Sequence, residues 1–281
     1  MQHFTNQLVC RPLLEFTSAE ACEAINRSFE EYLVPMVFDA ASFERRFRGE
    51  NLDAQASKIW FRNDELVGLV LIARRGWNSR VAAMGLVVGA RGKGYGHVML
   101  TAALAEARAR GDQNMLLEVF TTNERAYRLY EKLGFRTTRQ LHMLQCEAGR
   151  AYTRVLKLSE TDPREVARVI AKETEAELPW MIAAETMAAM APPVRAFHLE
   201  NKAYAVVRAD ANRTLLLSLV VPKQWRRQGH GSQLLHEVEA AYAHNNLMCY
   251  MLWEGPELQF MLARGWKRQE LALFEMVVPL A

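Results

Sequence analysis

The chain carries the same glycine-rich pattern twice, and this duplication limits its fold more than any other feature. Residues 91–96 read Arg-Gly-Lys-Gly-Tyr-Gly and residues 226–231 read Arg-Arg-Gln-Gly-His-Gly, so both fit R-x-x-G-x-G at a spacing of 135 residues. A second landmark, Gly134-Phe135 in the first half and Gly265-Trp266 in the second, follows each copy at a similar interval. Landmarks that recur in the same order indicate an internal duplication. The sequence therefore predicts two related domains.

Length and composition agree with two globular domains and exclude several classes of protein. The chain has 281 residues, of which 50% are hydrophobic and 24% are charged, so each half has enough apolar material for a core. A net charge of +3 gives no sign of a nucleic-acid-binding protein, and no apolar run reaches the ~20 residues of a membrane span. We expect no nucleic acid and no membrane as partners.

The four cysteines show neither a paired CxxC motif nor the spacing of a zinc site; they are Cys10, Cys22, Cys146 and Cys249. The N-terminus also lacks the basic and apolar segments of a secretion signal. The sequence predicts no metal, free thiols and a cytoplasmic location.

Each half shows the same order of elements around its glycine loop. In the first half, a capping box from Thr17 to Glu20 predicts a helix that runs to about Leu33. The remaining predicted elements that surround the loop are a strand at Arg80–Val88, a helix at Val98–Ala109, a strand at Met115–Thr121 and a helix at Asn123–Leu133. The second half restarts with a strand at Tyr152–Leu158 and a helix capped by Asp162.

A strand that leads through such a loop into a helix can bind an anion. The first backbone N–H groups of a helix have no partner within it, and they point toward the positive end of the helix dipole. Glycines at 94 and 96 would let a diphosphate approach, and Arg91 and Lys93 would add positive charge. The alternative is a glycine turn that only begins a helix. A dinucleotide fingerprint would require glycine at 97, where His97 stands, and no P-loop motif occurs.

The first loop is followed by a second motif, and together they resemble a known family. Asn123-x-x-Ala126-x-x-x-Tyr130-x-x-x-Gly134-Phe135 follows Arg91-x-x-Gly94-x-Gly96, and this combination is similar to that of the GNAT superfamily of acyl-CoA-dependent N-acetyltransferases. The resemblance covers about residues 7–147, and a weaker version covers 150–280. The chain thus resembles a tandem GNAT protein, an arrangement similar to that of mycothiol synthases.

The resemblance implies the fold, the domain division and the cofactor. Each domain would be an α/β fold of the mixed α+β type, with a mixed, mostly antiparallel sheet flanked by helices. The bounds would be 1–148 for a catalytic domain and 149–281 for a degenerate one. Acetyl-CoA, or another acyl-CoA, would pair with the strand through its pantetheine and with the loop through its diphosphate. The implied cofactor-binding residues are Met84, Gly85, Leu86, Arg91, Gly92, Lys93, Gly94, Tyr95, Gly96, Asn123, Ala126 and Tyr130.

The resemblance also implies catalytic roles for two side chains. Tyr130 would be the general acid that protonates the departing thiolate; its alternative role is a packed aromatic side chain. Glu118 stands within an apolar strand, where a carboxylate must be paired, hydrated or functional. By similarity to acetyltransferases of ribosomal-protein N-termini it would be a base, acting through water. The alternative is an ion pair on the sheet face, for example with Arg125 or Arg128.

The sequence gives weaker indications of the acceptor-binding residues and of the role of the second copy. The end of the first helix would contribute acceptor-binding walls from Phe29, Tyr32 and Met36, although core packing explains each of them too. The second loop would be a further cofactor site, made of Arg226, Arg227, Gln228, Gly229, His230 and Gly231. At the position of Tyr130, however, the second copy has Met261, which cannot donate a proton.

Two functions follow from these patterns. The first is an acetyl-CoA-dependent N-acetyltransferase that acts on an amine-bearing acceptor, either a small molecule or a peptide. The second is a non-catalytic sensor or scaffold that binds acyl-CoA. The sequence leaves the acceptor, the preferred acyl chain and the oligomeric state open.

Overall fold

The computed structural model describes residues 8–34, 37–149, 158–175 and 177–281. Met36 and residues 152–157 of a predicted strand lie outside this part of the chain. The chain divides into two compact units. The first comprises the residues up to Thr138 together with Glu275–Ala281, and the second comprises Arg139–Phe274. The bounds 1–148 and 149–281 stay a prediction for the extent of the two sequence copies.

Both units contain strands and helices. The strands of the described part are β1 (Leu8–Pro12), β2 (Lys58–Arg62), β3 (Glu65–Arg75), β4 (Asn78–Leu86), β5 (Asn114–Phe120), β6 (Arg136–Cys146), β7 (Ser159–Thr161), β8 (Val194–Leu199), β9 (Ala203–Ala209), β10 (Arg213–Val220), β11 (Asn246–Leu252) and β12 (Lys267–Pro279). The α-helices are α1 (Ser18–Ser28), α2 (Ala40–Glu50), α3 (Tyr95–Ala109), α4 (Glu124–Lys132), α5 (Pro163–Glu173), α6 (Ala184–Ala188), α7 (His230–Ala241) and α8 (Pro256–Ala263).

The sheet of the first unit has the order β1-β2-β3-β4-β5. Neighbouring strands are antiparallel except for β4 and β5, which are parallel and are connected through α3. This confirms the predicted α/β architecture with a mixed, mostly antiparallel sheet. A one-residue bulge interrupts the ladder between β3 and β4 near Ala82. Bulges bend a strand locally.

The last residues of β12 complete the first unit. Glu275–Ala281 belongs to it although these residues are distant in sequence. The Leu280 amide donates to the Gln113 carbonyl at 2.8 Å. A side chain on Gly134 would meet Val278 at 3.4 Å, and Met276 is completely buried. The C-terminal residues are therefore part of the core of the first unit.

Helix α1 begins as predicted but ends early. Thr17 and Glu20 form the predicted capping box, in which each side chain satisfies a backbone N–H of the other residue. The helix ends at Ser28 and does not continue to Leu33. Glu31 has a φ of 57°, in the left-handed region that an α-helix cannot contain. The segment with Phe29 and Tyr32 is thus a turn after the helix.

The core of the first unit lies between the sheet and its helices. α1 and α3 both pack on β3 and β4. The largest completely buried side chains are aliphatic or aromatic, as the hydrophobic effect requires; they include Phe47, Phe135, Ile25, Ile59, Leu69, Leu71, Ile72, Met99, Leu100, Met115 and Leu117.

The second unit repeats this architecture. Its sheet has the order β6-β11-β10-β9-β8-β7, and β10 and β11 form its parallel pair. A bulge in β10 lies near Leu217, which is 135 residues after Ala82. Asp162 caps α5, with Pro163 at the first helical position, as predicted. The duplication seen in the sequence is therefore present in the fold, including the position of the bulge.

Among the described residues, no helix combines the length and the apolar character needed to cross a membrane. The four cysteines are free thiols.

Candidate active site

A cleft of about 900 Å³ lies in the first unit where β4 and β5 separate. The two strands pair over three residues each, and their ladder ends at Arg80 and Leu116. β4 continues to Leu86 and remains paired with β3 on its other side. The β5-facing edge of Met84–Leu86 therefore lies outside the ladder and lines the cleft. Such a strand edge can accept a further extended group by backbone hydrogen bonds.

The glycine loop forms one end of the cleft. Gly94 is the N-cap of α3, with a φ of 82°, and Gly92 has a φ of 84°. Glycine adopts this left-handed conformation without the steric cost that other residues incur. Within the described part of the chain, the backbone amides of residues 92–96 have no hydrogen-bond partner. Five successive unpaired amides at a helix start suit a diphosphate.

Two of the glycines predicted to bind the cofactor are needed for packing. A Cβ on Gly96 would lie 3.3 Å from the Leu129 side chain and 3.4 Å from that of Met84. A Cβ on Gly85 would lie 2.8 Å from the Phe29 ring. Contacts this short would force neighbouring atoms to move. At Gly96 packing against Leu129 and Met84 is thus a reason for glycine beside the predicted approach of phosphate oxygens.

Arg91 is not the only positively charged side chain at the loop, since Lys93 and Arg125 also lie there. The Arg91 guanidinium donates to the backbone carbonyls of Leu86 and Glu30. Lys93 is exposed and has no ion-pair partner among the described residues. Arg125 Nη2 lies 3.5 Å from the point that a Cβ of Gly92 would occupy, and Arg125 also lines the cleft. Sequence reasoning considered Arg125 only as a partner for Glu118 and missed this placement.

Tyr130 lies on α4 and lines the cleft. Asn123 is the N-cap of this helix and accepts a hydrogen bond from the Ala126 amide at 3.2 Å. Tyr130 is 8% exposed, and its hydroxyl has no hydrogen-bond partner in the described part of the chain. Burial, with a smaller contribution from Tyr32, raises the pKa of Tyr130 well above that of a free phenol. The side chain is therefore a neutral O–H donor at the cleft.

The predicted acceptor walls Phe29 and Tyr32 both line the cleft. Their rings meet edge to face at 5.0 Å, and Tyr32 also lies 6.1 Å from the Phe120 ring. Burial raises the pKa of Tyr32, and a hydrogen bond with Asn123 opposes this shift. A second depression of about 730 Å³ meets the cleft at Phe29, Glu31 and Tyr32.

Glu118 takes part in a buried ion-pair network. Its carboxylate accepts hydrogen bonds from Arg80 Nε at 2.8 Å and forms an ion pair with Arg80 Nη2 at 2.6 Å. Arg80 also donates to Glu50 at 2.7 Å, and Glu50 pairs with Arg46 at 2.9 Å. Burial disfavours the charge on Arg80, but the two carboxylates outweigh it and raise its pKa. The predicted ion pair thus exists with Arg80, and neither Arg125 nor Arg128 is the partner.

Ser28 is a cleft residue that sequence reasoning missed. It is 3% exposed, and its Oγ has no hydrogen-bond partner in the described residues. A buried hydroxyl without a partner is uncommon. No local sequence signal marks it, because serine at a helix end is frequent.

The second loop shares its backbone geometry with the first, with one strained difference. Gly229 caps α7 with a φ of 87°. Arg227 takes the position of Gly92 and has a φ of 62°, a left-handed conformation that is strained for arginine. Met261, at the position of Tyr130, is buried in the core of its unit. Glu254, at the position of Asn123, pairs with Arg268 at 2.7 Å. The second copy therefore lacks a proton donor at this position, as predicted.

Comparison with known proteins identifies the cleft-bearing part of the chain. The sequence model of the acetyltransferase (GNAT) family matches residues 19–135. This part of the chain is a GNAT acetyltransferase domain. It contains the separated strands, the glycine loop and Tyr130.

A curated sequence relative is also named as an acetyltransferase. The chain is 33% identical over 89 residues to streptothricin acetyltransferase of Streptomyces lavendulae, a match that spans 31% of this chain and 47% of that relative. The matched region is thus about half the length of the curated relative.

Two solved structures share the GNAT fold over almost the whole chain. One is a GCN5-related N-acetyltransferase from Sphaerobacter thermophilus, with a TM-score of 0.67, 13% identity and coverage of 97% of this chain and 96% of that one. The other is a tandem GNAT protein from the clavulanic acid biosynthesis pathway, with a TM-score of 0.67, 13% identity and coverage of 98% and 99%. The tandem GNAT architecture predicted from the sequence is therefore confirmed.

Proposed function

We propose that this protein transfers an acetyl group from acetyl-CoA to a primary amine, with the reaction in the cleft of the first unit. The observation that carries the proposal is the coincidence of three features in one cleft. These are a strand edge free of its neighbour at Met84–Leu86, five unpaired amides at 92–96, and the unpaired phenol of Tyr130. The first two suit an elongated donor that carries a diphosphate, and the third suits the leaving thiolate.

The residues of the cleft fit acetyl-CoA in shape and charge. The amides of residues 92–96 would bind the diphosphate, and Lys93 and Arg125 would balance its charge. The Met84–Leu86 edge would bind the pantetheine amides as an added strand. Acetyl-CoA supplies the thioester that the reaction consumes.

The transfer requires one bond to form, one to break and two protons to move. The neutral amine nitrogen bonds to the acetyl carbonyl carbon while the bond from that carbon to sulfur breaks. The nitrogen gives up a proton through water to Glu118, and the sulfur accepts one from the Tyr130 hydroxyl. Tyr130 then regains a proton from solvent and Glu118 releases one, so the products are the amide and free CoA thiol. A phenol that burial keeps neutral remains able to donate as the thiolate departs.

Glu118 is proposed as the base through an intervening water. Free alkylamines have a pKa near ~10.4, so removal of a proton before attack increases the reactive fraction. The Arg80 contacts occupy the Glu118 carboxylate and support its ion-pair role, and Glu118 is not among the described residues that line the cleft. A single water between the carboxylate and the amine is the arrangement we propose.

The acceptor is proposed to be a cationic small molecule. Three glutamates and one arginine line the depression that meets the cleft beside Tyr32, which leaves an excess of negative charge; they are Glu23, Glu30, Glu31 and Arg27. Negative charge there attracts a protonated amine toward the site. The Streptomyces relative is named for the acetylation of streptothricin, so streptothricin is the first compound to test, followed by polyamines, amino sugars and peptide N-termini.

Release of free CoA thiol from acetyl-CoA across this amine panel tests the proposal. The Tyr130→Phe variant should lower kcat by about tenfold or more and leave the dissociation constant of acetyl-CoA nearly unchanged. Tight binding of acetyl-CoA with no turnover of any amine would instead favour the second candidate, an acyl-CoA sensor or scaffold.

Calorimetry of the same samples addresses the second loop. Its backbone follows the first loop, but Met261 replaces the acid, so we propose that the second unit has no transferase activity of its own. A stoichiometry of one acetyl-CoA per chain would show that the loop at 226–231 has lost cofactor binding, and a stoichiometry of two would show that it has kept it.

A further inference from the structure

The motif arginine Arg91 bonds to two backbone carbonyls that belong to different elements. Its Nε donates to the Leu86 carbonyl at the end of β4, at 3.0 Å. Its Nη2 donates to the Glu30 carbonyl in the turn after α1. The side chain thus connects the strand expected to hold the acyl donor with the turn that carries the acceptor walls.

The second unit repeats this connection. Arg226 Nε donates to the Val221 carbonyl at 2.9 Å, and its Nη2 donates to the Glu173 carbonyl at the end of α5 at 3.0 Å. Val221 and Leu86 are both five residues before their arginine. The same fork therefore occurs in both copies, although only the first has Tyr130.

Other contacts show how closely the turn approaches the strand. A Cβ on Gly85 would lie 2.9 Å from the Ser28 carbonyl and 2.8 Å from the Phe29 ring. The end of α1 thus rests directly on the backbone of β4. Phe29 and Ser28 both line the cleft, so a small movement of this turn changes the space beside the reacting groups.

We propose that Arg91 is a positioning residue that fixes the acceptor side of the cleft against β4, and that it is not a principal diphosphate ligand. The inference rests on the proposed acetyl transfer. A guanidinium presents its N–H groups as a flat fork, which can bind two carbonyls held at a fixed distance. A lysine ammonium at this position retains the charge but lacks the fork.

Two variants separate positioning from phosphate binding. Arg91→Ala and Arg91→Lys should both raise the KM for the acceptor amine by about tenfold, because both lose the two-carbonyl connection. Both should change the calorimetric dissociation constant of acetyl-CoA by less than about threefold. Lys93→Ala, which removes a loop charge without a partner, should show the opposite pattern and weaken acetyl-CoA binding.

Hydrogen exchange tests the connection without turnover. In Arg91→Ala the amides of Phe29 and Tyr32 should exchange about tenfold faster, because they lie in the turn that the arginine holds. Arg226→Ala is the matched variant, since it removes the same pair of bonds in the second unit. It should leave exchange at Phe29 and Tyr32 unchanged.

Two results would overturn the proposal. One is a loss of acetyl-CoA affinity in Arg91→Ala that Arg91→Lys restores, which would make Arg91 a charge for the diphosphate. The other is unchanged exchange at Phe29 and Tyr32 in Arg91→Ala. If the parent protein acetylates no amine, the proposed function fails, while exchange and calorimetry still decide the role of Arg91.

Discussion

Replacement of Glu118 by glutamine gives the most informative test of the site, because it separates two roles of one carboxylate. The network of Arg46, Glu50, Arg80 and Glu118 contains two positive and two negative charges. The side chains of Arg80 and Glu118 are only 5% and 6% exposed. Glu118→Gln removes one negative charge and leaves a surplus positive charge away from water.

The expected loss of stability follows from this burial. Removal of one partner from a buried ion pair costs about 3–5 kcal/mol, since the remaining charge is left without compensation. For a chain of this size about 1 kcal/mol corresponds to a shift in Tm of about 2–4 °C, so the unfolding transition should move down by about 6 °C or more. Differential scanning calorimetry of parent and variant measures this shift.

Glu50→Gln is the matched control for the catalytic role. It removes the other carboxylate that pairs with Arg80, and its side chain is 1% exposed, so the loss of stability should be similar. Only Glu118→Gln should also lower kcat, by about tenfold for a water-mediated base, when both are assayed well below their unfolding temperatures. Equal kcat values in the two variants would refute the base role, and an unchanged Tm in Glu118→Gln would refute the argument from burial.

Four further outcomes are expected. Because burial raises the pKa of Tyr130, its acid form persists as pH rises, so kcat should show no loss from this group up to about pH 10. Gly94→Val should weaken acetyl-CoA binding by about tenfold, whereas Gly76→Val, which has the same type of positive φ in a hairpin turn, should lower only the Tm. Burial alone would raise the pKa of Glu50, but Arg46 and Arg80 outweigh burial and lower that pKa. The stability that the ionised Glu50 carboxylate contributes should therefore be lost as pH falls below ~4.3. An acid titration of the stability of Glu50→Gln should lack this loss. Deletion of Glu275–Ala281 should destabilise the first unit, as fast hydrogen exchange in β5 would show.

Local sequence signals predicted most helices and strands of the two units. The capping box at Thr17 and the cap at Asp162 mark helix starts because their side chains bond to amides only a few residues away. The end of α1 was wrong by five residues. Apolar spacing continues through Phe29 and Leu33, but the chain turns at Glu31. Contacts with Gly85 and Arg91, which are distant in sequence, hold that turn.

The site was predictable where its geometry is local. The spacing from Asn123 to Tyr130 on one helix placed both at the cleft. The partner of Glu118 was not predictable from neighbours in sequence, because Arg80 reaches it from the adjacent parallel strand, 38 residues away. The direction of the Arg91 side chain was equally inaccessible, since an arginine in a glycine loop fits both a phosphate and a pair of carbonyls.

Because Glu275–Ala281 belongs to the first unit, that unit cannot complete its core until the whole chain has been synthesised, and this also limits how the two copies can be separated in evolution. A ribosome that has made the first half has already supplied Tyr130, Glu118 and the glycine loop, but the core around Gly134 still lacks Met276 and Val278. A chain released early would carry every residue of the cleft without the segment that completes its fold. Because Glu275–Ala281 follows the second copy in sequence, loss of the second copy from the C-terminal side would also remove part of the core of the first unit.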